Sequence, residues 1–95
     1  MNVIFSPTAR LQILKEVAWW LEFGPTSPYA FVEELEQVLE LLKQRPLVGA
    51  PYRGALRRKL MRSTGFYVYY RYFPVDSLLK IHEVRSCRRR RGPRL

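Results

Sequence analysis

Arginine is the residue type whose number and placement in this sequence best suit chemistry on a phosphate. Candidate phosphate stabilisers fall in strand-like segments, at Arg58, Arg62, Arg71 and Arg85. A consecutive run follows near the end of the sequence, at Arg88, Arg89, Arg90 and Arg91. Guanidinium groups bind phosphate oxygens in pairs, and clustered cations stabilise the negative charge that develops when the 2′-hydroxyl of RNA attacks phosphorus. The run is a candidate contact with nucleic acid or another target, or else a solvated tail.

Metal-independent RNA cleavage also needs groups that move protons. His82 is the single histidine, and an ordinary histidine pKa of about 6.5 suits a general base. A lone histidine on a strand is more often structural, so we expect no catalytic role for it. The tyrosines of segment 66–73 have two interpretations, stacking on bases or packing within a sheet. They are Tyr67, Tyr69, Tyr70 and Tyr72.

Metal and disulfide chemistry is not expected. Cys87 is the only cysteine, so an internal disulfide is impossible. The sequence shows no cluster of Cys and His residues with the spacing of a zinc site. We therefore expect neither a cofactor nor a metal.

The charge of the chain is divided between its two parts. Residues 1–42 carry two Lys or Arg against six Glu, a net charge of −4. Residues 43–95 carry 15 Lys or Arg against two acidic residues, a net charge of +13. A cationic surface of this size attracts anions over a Debye length of roughly 8 Å at physiological salt. RNA, DNA or an acidic protein is therefore the expected class of partner.

Length and composition indicate one small globular domain. The sequence has 95 residues, of which 47% are hydrophobic, and this argues against disorder. The first residues, MNVIFSPTAR, contain neither a basic leader nor a long apolar stretch. We expect a cytoplasmic protein without a membrane segment.

Two helices are predicted in the first half of the chain. A short strand is predicted at Asn2 to Phe5, and Ser6-Pro7 is typical of a helix start. That helix ends at Gly24-Pro25, and its predicted apolar stripe contains Ile13, Leu14, Val17, Ala18, Trp20 and Leu21. Ser27-Pro28 repeats the start signal. The second helix has apolar residues at Phe31, Leu35, Val38, Leu39 and Leu42 and stops near residue 45, before Pro46.

The second half predicts a sheet. Residues 47–54 carry two Gly and one Pro and read as a loop. Three strands then follow with short turns between them, at residues 56–62, 66–73 and 78–85, which indicates an antiparallel meander. The predicted fold is α+β, in the order β-α-α-β-β-β, with an antiparallel sheet packed on a helix hairpin. Its buried face is expected to contain Leu60, Val68, Tyr70, Ile81 and Val84, leaving the other face basic.

Several strings, together with this order of elements, resemble the RelE/ParE superfamily of toxins. They include VIFSPTAR at the start, STGFYVYYR in the middle and IHEVRSCRRR near the end. The resemblance implies a RelE/ParE-like domain over residues 1–87 and a basic tail over residues 88–95. It also implies the toxin of a type II toxin–antitoxin system, neutralised by a cognate antitoxin whose disordered segment folds on the toxin.

The superfamily divides by mechanism. RelE-like members are ribosome-dependent mRNA endoribonucleases, whereas ParE-like members are known as inhibitors of DNA gyrase. The RelE pattern has basic residues on the first meander strand, an arginine two positions after the hairpin glycine and, in some members, a C-terminal tyrosine. Arg58 and Arg62 match, but Tyr67 holds the second place, and no tyrosine follows Tyr72.

These departures favour a ParE-like toxin that acts by binding its target. The ParE resemblance is itself incomplete, because many members have a histidine before a small residue and an arginine where this chain has Ser86-Cys87-Arg88. A RelE-like nuclease is the first alternative. A non-toxic nucleic-acid-binding module, which would use the basic face of the sheet, is the second.

Overall fold

The computed structural model describes residues 1–24 and 27–87, and the predicted basic tail lies outside them. Within these residues two helices and five strands follow one another in an α+β arrangement. In chain order they are β1 (Asn2–Phe5), α1 (Pro7–Phe23), α2 (Ala30–Gln44), β2 (Ala50–Arg53), β3 (Leu56–Met61), β4 (Phe66–Phe73) and β5 (Leu78–Ser86). The predicted α+β fold is confirmed. No helix in the described part is long and apolar enough to cross a membrane.

The strands form one sheet in the order β1-β5-β4-β3-β2. The predicted meander of β3, β4 and β5 is present and antiparallel. The sheet as a whole is mixed, however, because β1 pairs with β5 in parallel. The helix hairpin lies between β1 and the other strands in the chain, and this long connection lets β1 enter the sheet beside its last strand.

The loop predicted for residues 47–54 was wrong in its second half, which contains the edge strand β2. β2 pairs antiparallel with β3, and their register shifts between Pro51 and Arg53. A proline has no N–H to offer a neighbour, but an edge strand tolerates it. Proline and glycine therefore mark an irregular edge strand here rather than a loop.

The beginning of α1 is joined directly to β5. The Ser6 hydroxyl accepts a hydrogen bond from the Ala9 amide at 3.0 Å and donates one to the His82 carbonyl at 2.7 Å. β1 pairs with β5 only as far as Ile81. Beyond Ile81 the neighbour of β5 on this side is α1, and the Gln12 side chain accepts a hydrogen bond from the Val84 amide at 2.7 Å. The predicted Ser6 cap is confirmed and also fixes the helix on the sheet.

The second helix is joined to the β3–β4 turn. The Glu34 carboxylate accepts hydrogen bonds from the Ser63 amide at 2.8 Å, the Thr64 amide at 2.9 Å and the Thr64 hydroxyl at 2.7 Å. Gly65, with a φ of 78°, completes the turn. The turn is therefore anchored to α2 as well as to its own strands.

The second helix begins later than predicted. It starts at Ala30 with Tyr29 as its cap residue, two residues after the start that the Ser27-Pro28 signal predicted.

The core lies between the helices and one face of the sheet. Of the residues predicted for that face, Val68, Tyr70, Ile81 and Val84 are buried. The prediction for Leu60 was wrong, because the neighbouring Met61 is the buried residue of β3. In the observed register Met61 lies opposite Phe66. Since side chains alternate along a strand, Leu60 lies on the other face with Arg58.

The orientation of α1 also differs from the prediction. Trp20 is buried, and Ile13 and Val17 pack against the core. The apolar residues on the opposite side are exposed, at Leu11, Leu14, Ala18 and Leu21. The helix has apolar residues around much of its circumference, so periodicity alone does not decide which side is buried.

Candidate functional site

Five side chains form an arginine–tyrosine cluster on the face of the sheet that points away from the helices. They come from four strands and are Tyr52, Arg58, Tyr67, Tyr69 and Arg85. Alternation along β4 places Tyr67 and Tyr69 on this face, between the buried residues of the core face. The register then places Arg58 opposite Tyr69, and Arg85 opposite Tyr67.

Aromatic rings hold both guanidinium groups of the cluster. The guanidinium carbon of Arg58 lies 4.2 Å from the ring centroid of Tyr67 and 5.3 Å from that of Tyr52. The Arg85 group lies 4.7 Å from the Tyr69 centroid. The rings of Tyr52 and Tyr69 meet edge to face at 4.9 Å. A cation over an aromatic face is attracted to the ring electrons, so the two charges are held in position on the surface.

Tyr69 is the centre of the cluster. Its side chain is 93% buried, although it is on the open face of the sheet. Hydrogen bonding to the Tyr69 hydroxyl raises the pKa of Arg58. Burial lowers the pKa of Arg85, but hydrogen bonding to Tyr69 and the carboxylate of Glu83 raise it by more. Both arginines therefore remain charged, and Tyr69 lies between them.

A set of hydrogen bonds below the cluster positions β2. The Tyr70 hydroxyl accepts from the Gly49 amide at 2.9 Å and donates to the Pro46 carbonyl at 2.8 Å. Arg57 donates to the Gly49 carbonyl at 2.8 Å and to the Leu47 carbonyl at 3.2 Å. A Cβ atom on Gly49 would lie 2.6 Å from the Tyr70 hydroxyl, so this close approach needs glycine. These hydrogen bonds fix the position of the loop before β2, and β2 in turn places Tyr52 in the cluster.

His82 is the extra residue of a β-bulge in β5. Tyr69 lies opposite Glu83 and Tyr70 lies opposite Ile81, which leaves His82 between the two pairs. Burial lowers the pKa of His82, and the positive charges of Lys80 and Arg71 lower it further. The imidazole is therefore neutral at pH 7. Its Nε2 atom is buried and has no hydrogen-bond partner in the described part of the chain.

The structure divides the four arginines predicted as phosphate stabilisers. Arg58 and Arg85 come together in the cluster. Arg62 lies just beyond the end of β3, in the turn to β4. Arg71 lies at the other end of β4, opposite Lys80, with its guanidinium 4.4 Å from the ring centroid of Phe73. The run Arg88 to Arg91 lies outside the described residues.

Sequence reasoning missed two features of this site. Tyr52 was placed in a loop, so its contact with Arg58 was not anticipated. Tyr69 was considered for stacking or packing, but not as the residue that lies between two arginines. The available signal was the meander itself, because pairing β3 with β4 across the turn at Ser63 to Gly65 brings Arg58 and Tyr69 together.

A second candidate surface lies on the opposite side of the molecule. Leu11, Leu14 and Leu21 of α1 are 55%, 65% and 55% exposed. Beside them is an apolar groove of about 370 Å³, lined by side chains of β1, α1 and α2. Exposed apolar surface of this kind commonly marks a protein interaction site.

Solved structures of toxins share this fold. A chromosomal ParDE toxin–antitoxin system from P. aeruginosa aligns with a TM-score of 0.72 at 14% identity, covering 93% of this chain and 97% of the other. A YoeB/ParE toxin from Agrobacterium tumefaciens aligns with a TM-score of 0.67 at 14% identity, covering 93% and 100%. The intact E. coli RelBE toxin–antitoxin complex aligns with a TM-score of 0.64 at 20% identity, covering 93% and 98%.

Comparison with known sequences and family models gives one match. No significant match was found among curated protein sequences. The family model described as the ParE toxin of the type II toxin–antitoxin system parDE matches residues 3–91, nearly the entire chain. The resemblance to the RelE/ParE superfamily is confirmed, and the chain belongs to the ParE toxin family.

Proposed function

We propose that this protein is a ParE-like toxin that acts by binding its target, with DNA gyrase as the target. The observation that carries this proposal is the position of the arginine side chains on the open face of the sheet. Arg58 and Arg85 are held against tyrosine rings, while Arg62 and Arg71 lie elsewhere. Such a surface offers fixed charge and shape, which are what recognition of a protein or protein–DNA target requires.

The neighbourhood of the cluster argues for binding over RNA cleavage. The nearest imidazole is that of His82, and its Nε2 atom is buried, so this nitrogen is poorly placed to take a proton from a ribose hydroxyl. A general base must come within hydrogen-bond reach of the proton that it removes. The run Arg88 to Arg91, which follows β5 in the sequence and lies outside the described residues, is proposed to contact the target as well.

The toxin's partner in this proposal is an antitoxin with an acidic amphipathic helix. The relatives from P. aeruginosa and E. coli are toxin–antitoxin systems. The exposed stripe Leu11, Leu14, Ala18 and Leu21 follows the spacing of one helix face. At 100° per residue, Arg10 and Lys15 lie on either side of the stripe, and they are the only Lys or Arg of the first 42 residues. Glu22 lies near Lys15 at the same spacing, whereas Arg10 lines the apolar groove, so a partner helix with an acidic residue on the Arg10 side of its apolar face is favoured.

A RelE-like ribonuclease is the second candidate, and one observation favours it. Tyrosine hydroxyls lie beside the two arginines, with Tyr69 between them and Tyr52 and Tyr67 stacked on Arg58. The absence of a tyrosine after Tyr72 was the reason for doubting cleavage. These three tyrosines weaken that reason, because they bring hydroxyl groups close to the positive charges.

One experiment separates the two candidates. The purified toxin is tested in parallel for inhibition of gyrase supercoiling and for cleavage of mRNA on translating ribosomes. We expect gyrase inhibition without mRNA cleavage. Arg58→Ala should weaken that inhibition, whereas Arg45→Ala, which removes an exposed arginine at the end of α2, should not. Codon-positioned cuts with gyrase unaffected would reverse the choice.

A further inference from the structure

A cleft of about 470 Å³ lies beside the arginine–tyrosine cluster. It is lined from two distant parts of the chain: the beginning of α1, with Ser6 and Thr8, and the β2–β3 hairpin, with Arg53 and Leu56. Tyr52, Tyr69 and Arg85 of the cluster form one side of it, together with the bulge residues His82 and Glu83. The cleft therefore combines cationic, hydroxyl and aromatic groups in a volume that suits a mononucleotide.

The lining of the cleft is suited to an anion. Arg53 is exposed, and within residues 1–24 and 27–87 no carboxylate pairs with it. Thr8, in the first turn of α1, contributes an exposed hydroxyl. The Ser6 hydroxyl caps this end of the helix, but the first turn has no acidic side chain to neutralise the positive end of the helix dipole. Arg53 and the beginning of α1 therefore both add positive potential to the lining, which favours a phosphate in the cleft.

The negative charge in the cleft is already engaged. The carboxylate of Glu83 lies 3.0 Å from Nε of Arg85. This ion pair holds the Arg85 guanidinium over Tyr69 and leaves Arg53 as the positive side chain of the lining that no carboxylate neutralises within the described residues. The phosphate of a ligand would therefore be bound mainly by Arg53.

The same lining is suited to a flat group. The Tyr52 ring meets Tyr69 edge to face, and the guanidinium groups of Arg53 and Arg58 each lie 5.3 Å from its centroid. Leu56 adds an aliphatic contact. Nucleobases stack on aromatic rings and on guanidinium planes with little dependence on sequence. A nucleobase could therefore stack on this group of side chains while its phosphate binds the cationic lining.

From this arrangement we infer that the cleft is a binding site for a nucleoside phosphomonoester, taken either as a free nucleotide or as the phosphorylated end of a nucleic-acid strand. A terminal phosphate fits because a phosphomonoester carries a charge of about −1.5 to −2 at pH 7, more than the single charge of a diester, and so gains more from the cationic lining. This site goes beyond the proposed binding of gyrase. It is tested by direct ligand binding, so its failure would leave the toxin proposal untouched.

The test is a ligand titration of the full-length protein, in which binding is monitored by shifts of the amide resonances in NMR spectra. The probes are AMP, adenosine, inorganic phosphate, and a short single-stranded DNA with either a 5′-phosphate or a 5′-hydroxyl. AMP should bind more tightly than adenosine or inorganic phosphate and should shift the resonances of Thr8 and Arg53. Arg53→Ala should weaken AMP binding roughly tenfold, the scale of one charge-assisted hydrogen bond. The matched control Arg45→Ala removes the same charge outside the cleft and should leave binding within about twofold, as expected of a screened distant charge.

The two sources of the ligand give different results. AMP binding as tightly as the 5′-phosphorylated strand supports a free nucleotide, and much tighter binding of that strand supports a strand end. Equal binding of the two DNA strands would exclude a strand end as the ligand. Equal binding of AMP and adenosine would overturn the inference. So would equal losses in the two arginine variants, because that result indicates general attraction to a basic protein. Preferential binding of an acidic peptide over AMP would overturn it in favour of a protein partner.

Discussion

The two faces of the sheet bury neighbouring tyrosines by different means. Tyr70, on the helix side, is fully buried, and Tyr69, on the open side, is almost as deeply buried. Backbone groups of the fixed loop 46–49 satisfy the Tyr70 hydroxyl. Tyr69 is covered by the side chains of the cluster, which are two arginines and two tyrosines. Burial on the helix side therefore supports the fold, whereas burial on the open side positions a surface.

The largest expected effect is on toxicity and comes from the open face. Expression of the wild-type chain without an antitoxin should stop bacterial growth, and the double variant Arg58→Ala/Arg85→Ala should remove most of that effect. The double variant removes the ring contacts that cover Tyr69 and the ion pair with Glu83, so the melting temperature should fall modestly while the protein stays folded. Toxicity is measured by colony counts after induction, and stability by a thermal melt of the same variant. A double variant that is folded and fully toxic would show that the cluster does not contact the target.

A slightly smaller effect is expected from covering the exposed side of α1. A ligand at 100 times its Kd adds about 2.7 kcal/mol to the stability of the protein that it binds. Mixing the toxin with its antitoxin should therefore raise the melting temperature by several degrees. Leu14→Glu should abolish this rise while leaving the melting temperature of the free toxin nearly unchanged, because Leu14 is exposed. An equal rise in both proteins would place the antitoxin elsewhere.

Removing one tyrosine hydroxyl from each face of the sheet compares the two faces most directly. Tyr70→Phe leaves the Gly49 amide and the Pro46 carbonyl without their buried partner, which should cost about 1–3 kcal/mol of unfolding free energy. Tyr69→Phe should cost less, because the arginines around it can be hydrated. It should instead reduce toxicity by freeing Arg58 and Arg85. Chemical denaturation and growth assays on both variants test this, and equal losses of stability would contradict it.

The Glu34 contacts predict a pH-dependent contribution to stability. Burial raises the pKa of Glu34, but its hydrogen bonds to Thr64 and Ser63 lower it by more, so the net shift is downward. A carboxyl group with a lowered folded pKa stabilises the protein above its unfolded pKa of about 4.3 and loses this contribution as the pH falls through the folded value. Glu34→Gln should therefore cost about 1 kcal/mol at pH 7. The difference from wild type should shrink below pH 4.

The smallest effect is expected at His82. His82→Asn should leave toxicity unchanged, since the imidazole is not assigned a proton-transfer role. The folded protein disfavours the protonated imidazole, because the folded pKa is below the unfolded value. The wild type should therefore lose a little stability between about pH 7 and pH 5, as the unfolded histidine takes up a proton first, whereas the variant should lack this part of the change. Loss of toxicity in a folded variant would revive the nuclease interpretation.

Local patterns in the sequence determined most of the fold. The Ser6 cap, the periodicity of α2 and the turns around Gly65 and Pro74 act over a few residues, and each predicted its element. The order of elements and three characteristic strings also led to the correct superfamily. Arg58 and Arg85 were among the candidate site residues for the same reason, because residue type and strand position are readable along the chain.

Only the tertiary structure decided how those elements meet. Pairing of β1 with β5, the β2 edge strand and the bulge at His82 depend on contacts between distant residues, which no local pattern encodes. A shift of one position decided that Met61 rather than Leu60 is buried, since a strand reverses its faces at each residue. The same pairing brought Tyr52 over Arg58 and separated Arg62 and Arg71 from the cluster. Residue types suggested the chemistry, whereas strand register decided which of those residues share a site.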